Sequence, residues 1–168
     1  AVRRCGCWEG QLRAGQYMED SGPAAHPIRP DRVEEFDNIY SGTIYTKGSH
    51  VLGMMNTILG DATWRKAMDS YFDKYDGKAV TCDDFINNMQ DHARHIDLTQ
   101  FRRWYSQSGT PEISYSGKYD AAAKTYSLTL TQNTPATADQ TQDQKQPLHI
   151  PVAVGLIGES GKDVPVTG

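Results

Sequence analysis

The feature that most limits what this chain can fold into is a change of hydrophobic period at Gly109-Thr110-Pro111. On the N-terminal side, apolar residues recur with the spacing of amphipathic helices; on the C-terminal side they alternate, as in strands with one apolar face. Helices and strands that occupy separate stretches of sequence define an α+β chain, not a βαβ one.

The helical half carries several start and stop signals. Trp64, Met68, Tyr71, Phe72 and Tyr75 share one face of a helix over residues 61 to 76, with Asp61 placed to cap it and Gly77 to end it. A second helix is predicted from Thr81, whose hydroxyl caps while Asp84 supplies the acidic third position, burying Phe85, Ile86 and Met89. A third runs from the cap Asp97, with Gln100 three residues on, through Phe101, Trp104 and Tyr105 to Gly109. Upstream, Tyr45, Leu52, Met55 and Leu59 fall near one helical line with Val51 and Ile58 beside it, so Tyr45 is expected at the head of a buried stripe. Pro23, Pro27 and Pro30 should hold the preceding segment extended before a short helix from about Asp31.

After Pro111, period-two alternation predicts strands through Ile113 and Tyr115, through Tyr126, Leu128 and Leu130, and through Leu148, Ile150, Val152 and Val154, each with one buried face. The Thr/Gln/Asp-rich stretch from Thr131 to Pro147 reads as a long mobile loop, and a Gly-rich turn leads to Val164 and Val166. So few strands cannot close a sandwich, and the chain is expected to be a piece of a longer protein, cut inside its β domain.

The formal charge of −4, from mixed signs without a basic run, argues against a nucleic-acid partner. No apolar run is long enough to span a membrane. Three cysteines, Cys5, Cys7 and Cys82, are too few and too uneven for a disulfide framework, which suits the reducing cytoplasm.

Chemistry is sparse. His92 and His95 stand three apart, whereas zinc helices place histidines four apart around a glutamate, so no metal site is expected here. A small metal hydrolase built on that pair is the reading that zinc bound to the isolated chain would support. His26 is read as satisfying a backbone carbonyl or orienting a loop. Tyr40 and Tyr45 have two readings: core aromatics, or phenols of which one is a neutral donor to a developing oxyanion.

From about Gln11 onward the sequence resembles the bacterial aminopeptidase N family of gluzincin zinc metallopeptidases. The resemblance rests on Gln11 to Asp20 (QLRAGQYMED), Pro23 to Pro30 (PAAHPIRP), Ile44 to Gly48 (IYTKG), Thr81 to Phe85 (TCDDF), Phe101 to Pro111 (FRRWYSQSGTP) and Gln144 to Leu156 (QKQPLHIPVAVGL). It implies that residues 11–109 are the C-terminal helical part of a thermolysin-like catalytic domain, and that 110–168 begin an antiparallel β-sandwich, Ig-like domain. The implied activity is release of N-terminal residues from peptides by zinc-activated water. Tyr45 matches the family's oxyanion-binding tyrosine and Tyr40 a second tyrosine that lines the substrate pocket. The implied partners are peptides with a free N-terminus and the remainder of the same enzyme.

Two departures qualify what is implied. Thr46 replaces the glutamate that usually follows the catalytic tyrosine, and neither the H-E-x-x-H motif nor the motif that reads the substrate amino group occurs in the chain. The zinc ligands are therefore expected outside it, and the isolated polypeptide is expected to be inactive. Residues 1–10 do not match the family beyond Ala1-Val2, which suggests a frameshift or a misplaced gene start. The alternative is a helical and β interaction module without chemistry.

Overall fold

The computed structural model describes residues 10–164. The expectations for residues 1–9, with Cys5 and Cys7, and for Val166 fall outside the described residues.

Among the described residues, helical segments precede the strands. A π-helical turn at Leu12–Gln16 runs into α1 (Tyr17–Ser21), and a second at Thr43–Lys47 runs into α2 (Gly48–Leu59). Gly60, in a left-handed backbone at φ 77°, links α2 directly to α3 (Asp61–Tyr75), and α4 (Cys82–His92) packs against α3. A 3-10 turn at Gln100–Arg102 leads into α5 (Arg103–Ser106). The capping box at Thr81 forms as expected: the Asp84 amide donates to the Thr81 hydroxyl at 3.2 Å, and the Thr81 amide donates to the Asp84 carboxylate at 2.8 Å.

The core is built from Val51, Met55 and Leu59 of α2, Ala67 of α3, Ile86 and Met89 of α4, and Leu98, Phe101, Trp104 and Tyr105. Asn88 is buried at the contact of α3 and α4 with its hydrogen bonds satisfied. It donates to the Ala67 carbonyl at 2.7 Å and accepts from Ser70 and Lys74 at 3.3 and 3.1 Å.

Several local expectations are corrected. Asp61 is the first residue of α3, not its cap, which is Gly60. Phe72 lies off the buried face and is exposed, while Ala67 is fully buried. No helix starts at Asp31; a 3-10 turn forms only at Phe36–Ile39. Asp97 accepts a hydrogen bond from the Thr99 amide at 2.8 Å, an Asx turn ahead of the 3-10 segment instead of a helix cap.

The strands β1 (Glu112–Asp120) and β2 (Thr125–Asn133) form an antiparallel ribbon in which Tyr115 faces Leu130, and Tyr119 faces Tyr126. Asp120 turns the hairpin by accepting from the Ala122 and Ala123 amides at 2.9 and 3.0 Å, and Lys124 takes the left-handed position at φ 50°. The alternation is as read, but the apolar face is not buried: Ile113, Tyr115, Tyr119, Tyr126, Leu128 and Leu130 are all exposed. Two-residue strands β3 (Leu156–Ile157) and β4 (Asp163–Val164) make a second small ribbon.

The stretch expected to be a third strand is instead an extended strap across the helices. Gln132 pairs with the Leu148 backbone in both directions, donating to its carbonyl at 2.9 Å and accepting from its amide at 2.8 Å. Gln107 does the same with Gln146 at 3.1 and 2.8 Å, and the Trp104 indole donates to the His149 carbonyl at 2.9 Å. Leu148 is thereby inserted into the helical core. The loop before it, expected to be mobile, is tied down by Lys145, which donates to Ser108, Thr137 and Gln140 within 3.1 Å. Side-chain amides and an ammonium here satisfy backbone groups that a neighbouring strand would otherwise pair, beside the apolar burial of Leu148.

Candidate functional site

The segment bearing both tyrosines begins where α1 meets the π-helical turn. Four consecutive amides at that start are satisfied. Gly42 and Thr43 donate to the Glu19 carboxylate at 3.2 and 3.0 Å, Ile44 donates to the Ser41 hydroxyl at 3.2 Å, and Tyr45 donates to the Ser41 carbonyl at 3.1 Å. The carboxylate belongs there because the first amides of a helix carry partial positive charge and lack intrahelical partners. A Cβ on residue 42 would stand 3.0 Å from Glu19 Oε2, so glycine gives the carboxylate its close approach. Burial pushes the Glu19 carboxyl up, but hydrogen bonds from Thr43 and Gly42, and the nearby His26 ring, outweigh it and hold it below its ordinary value. His26 donates from Nδ1 to the Pro27 carbonyl at 2.8 Å, in line with the simpler expectation for it, and its Nε2 stands 3.4 Å from Glu19.

The buried line through this helix is Thr43, Lys47, Val51, Met55 and Leu59, one residue in every four. On an α-helix each four-residue step overshoots a full turn by about 40°. The π turn, whose Gly48 amide donates to the Thr43 carbonyl five residues back, winds less per residue and returns the polar end of the line to the core. Tyr45 is consequently turned outward. It is not the head of the stripe; like Tyr40 it is 61% exposed. The two rings stack with centroids 6.0 Å apart and planes 15° from parallel. Among the described residues neither phenolic hydroxyl is hydrogen-bonded, so both remain available as donors.

Two residues beyond Tyr45, Lys47 is buried and donates to Asp20 Oδ2 at 2.8 Å and to the Gly109 carbonyl at 3.0 Å. Asp20 also accepts from the Gly109 amide and the Thr110 hydroxyl, both at 2.9 Å. Gly109 thus engages the pair with both of its backbone groups, and its φ of 88° makes that possible without side-chain strain. Burial pushes the Asp20 carboxyl up, yet the Lys47 charge and the hydrogen bonds from Lys47, Gly109 and Thr110 outweigh it, and the group is held below the usual range. For Lys47 the balance runs the other way: burial lowers the ammonium despite Asp20. Sequence reading missed this pair, because an aspartate and a lysine 27 residues apart look solvent-facing by hydropathy.

Other candidates stand apart from the tyrosines. His92 donates from Nδ1 to the Asn88 carbonyl at 2.9 Å, within its own helix. Among the described residues no three His, Cys, Asp or Glu side chains are grouped so as to hold a metal ion. A cavity of about 450 Å³ opens between Leu12, Tyr17, Met54, Trp104 and Ile113, but neither Tyr40 nor Tyr45 lines it. No described helix is long and apolar enough to cross a membrane.

Residues 8–105 match the peptidase family M1 domain, and residues 109–168 match a domain of unknown function, DUF3458, described as an Ig-like fold. The chain is 49% identical over 155 residues to aminopeptidase N of Escherichia coli K12, covering 92% of this chain and 18% of that protein. It is likewise 49% identical over 150 residues to aminopeptidase N of Haemophilus influenzae, covering 89% and 17%. A crystal structure of Legionella pneumophila aminopeptidase A in complex with aspartic acid superposes with a TM-score of 0.60 at 24% identity, covering 75% of this chain and 17% of that one, and supports the fold. The chain therefore belongs to peptidase family M1, with a helical part followed by an Ig-like part. It spans less than a fifth of the length of these relatives.

Proposed function

We propose that this chain is a segment of a cytoplasmic zinc aminopeptidase, comprising the helical end of the catalytic domain (residues 11–109) and the start of an Ig-like domain (110–168), and that Tyr45 donates a hydrogen bond to the oxyanion formed at the first peptide carbonyl. The similarity to two aminopeptidases N over about nine tenths of the chain supports the activity class. The observation that carries the residue assignment is the exposed, unengaged Tyr45 phenol on a helix start that Glu19 and Ser41 hold rigidly.

A phenol suits this task because it is neutral. It adds no full charge to the substrate complex and strengthens its bond as negative charge builds on oxygen. Tyr40, stacked on Tyr45, restricts that ring and offers an aromatic wall to the substrate. The zinc ligands and the groups that read the substrate's free amino terminus belong to other parts of the enzyme, so this segment alone is inactive.

In the full-length enzyme, Tyr45→Phe is expected to lower kcat by about two to three orders of magnitude with little change in KM, whereas Tyr40→Ala acts mainly on KM. Turnover of an aminoacyl amide that survives Tyr45→Phe intact would remove the assignment. A second reading, an interaction module without chemistry, draws on the uncovered apolar face of the β1–β2 ribbon and predicts that surviving turnover.

A further inference from the structure

The Tyr45 phenol has no hydrogen bond that would fix its position among the described residues. Apart from the stack on Tyr40, its placement depends on the backbone that carries it, and that backbone is a π turn, a less tightly wound element than the α-helix it feeds. Two adjacent acidic residues grip that turn from opposite ends. Glu19 accepts from the Gly42 and Thr43 amides at 3.2 and 3.0 Å, three and two residues before Tyr45. Asp20 holds the Lys47 ammonium at 2.8 Å, two residues after it. Asp20 is in turn fixed by the Gly109 amide and the Thr110 hydroxyl, both at 2.9 Å.

We infer that Glu19 and Asp20 are positioning residues that act together as a clamp on residues 42–47 and set where the Tyr45 phenol points. Neither touches Tyr45; both act through its backbone. Because Asp20 is anchored on Gly109 and Thr110, the clamp also ties the tyrosine to the junction where the strands begin. The inference rests on the reading of Tyr45 as the oxyanion donor. Its magnitude follows from geometry: a displacement of the order of 1 Å at a reacting group costs about a hundredfold in rate.

The test uses the full-length enzyme with Glu19→Gln, Tyr45→Phe and the double variant. Glutamine keeps the shape but presents one acceptor to two amides, so one end of the clamp loosens. The clamp predicts a kcat lower by about ten- to a hundredfold with KM within about twofold. It also predicts faster hydrogen exchange of the amides of residues 42–47, and little further loss when Glu19→Gln is added to Tyr45→Phe. Gly42→Ala, whose methyl would press on Glu19 Oε2 from 3.0 Å, should give a weaker version of the same result and serves if Glu19→Gln does not fold. An unchanged kcat in both Glu19→Gln and Gly42→Ala beside an impaired Tyr45→Phe overturns the clamp, as does full additivity in the double variant. Intact turnover in Tyr45→Phe alone overturns instead the catalytic reading beneath it.

Discussion

Asp20 and Lys47 form a buried ion pair, 2.8 Å between Oδ2 and Nζ with side chains 1% and 6% exposed, and it joins the helix of Tyr45 to Gly109 and Thr110, at the junction of the helical and β parts. Both charges have exchanged water for fixed partners. Removing one strands the other, so Lys47→Met or Asp20→Asn is expected to cost about 3–5 kcal/mol, read by chemical denaturation of the full-length protein. Replacing both with apolar residues should cost less than either single change.

The same pair gives an acid limit. The Asp20 carboxyl is held below its ordinary value by Lys47 and its hydrogen bonds against the opposing effect of burial. A lowered folded value means that its contribution is complete above the unfolded value of about 3.9 and is lost as pH falls through the folded one. Stability should therefore be flat in this contribution near neutrality and decline below about pH 4. Asp20→Asn should shallow that decline, and an unchanged acid limb in the variant would count against it.

Two glycines make opposite predictions. Gly109→Ala puts a Cβ on a residue at φ 88°, 3.0 and 3.1 Å from the methyls of Thr137 and Thr134, and should destabilise by about 1–3 kcal/mol. Gly53→Ala, within α2 and with nothing within 4 Å of the added atom, should stabilise by about 0.5–1 kcal/mol. Thermal melts of the two variants side by side decide the matter.

The strap supplies a third kind of test. Leu148 is 1% exposed inside the helical core although it follows both long strands, so Leu148→Ala should cost about 2–5 kcal/mol. Val152→Ala, only four residues on and half exposed, should change stability little.

These cases also show what the sequence could and could not reveal. The Thr81–Asp84 capping box was legible because both partners lie within one turn, and the alternation of β1 and β2 because period two needs only local spacing. The strap was not. Leu148, Ile150 and Val152 alternate as a strand would, but glutamine side chains from distant positions, Gln107 and Gln132, bind the backbone that a neighbouring strand would have taken. The π turn was also invisible, because it carries the polar Thr43 and Lys47 inward and the tyrosine outward, the reverse of what hydropathy suggests. For Tyr45, spacing alone favours a core aromatic and only the resemblance points to catalysis; the ring is 61% exposed, so it is not a core aromatic.

The most direct measurement compares two losses caused by Tyr45→Phe in the full-length enzyme: the loss in kcat/KM for an aminoacyl amide, and the loss in affinity for a tetrahedral phosphinic analogue of the same substrate. An oxyanion donor makes them fall together, by about two to three orders of magnitude, because both report the bond made only to the tetrahedral state. A variant that retains turnover, or that loses turnover while binding the analogue as tightly as before, would contradict the role given to Tyr45.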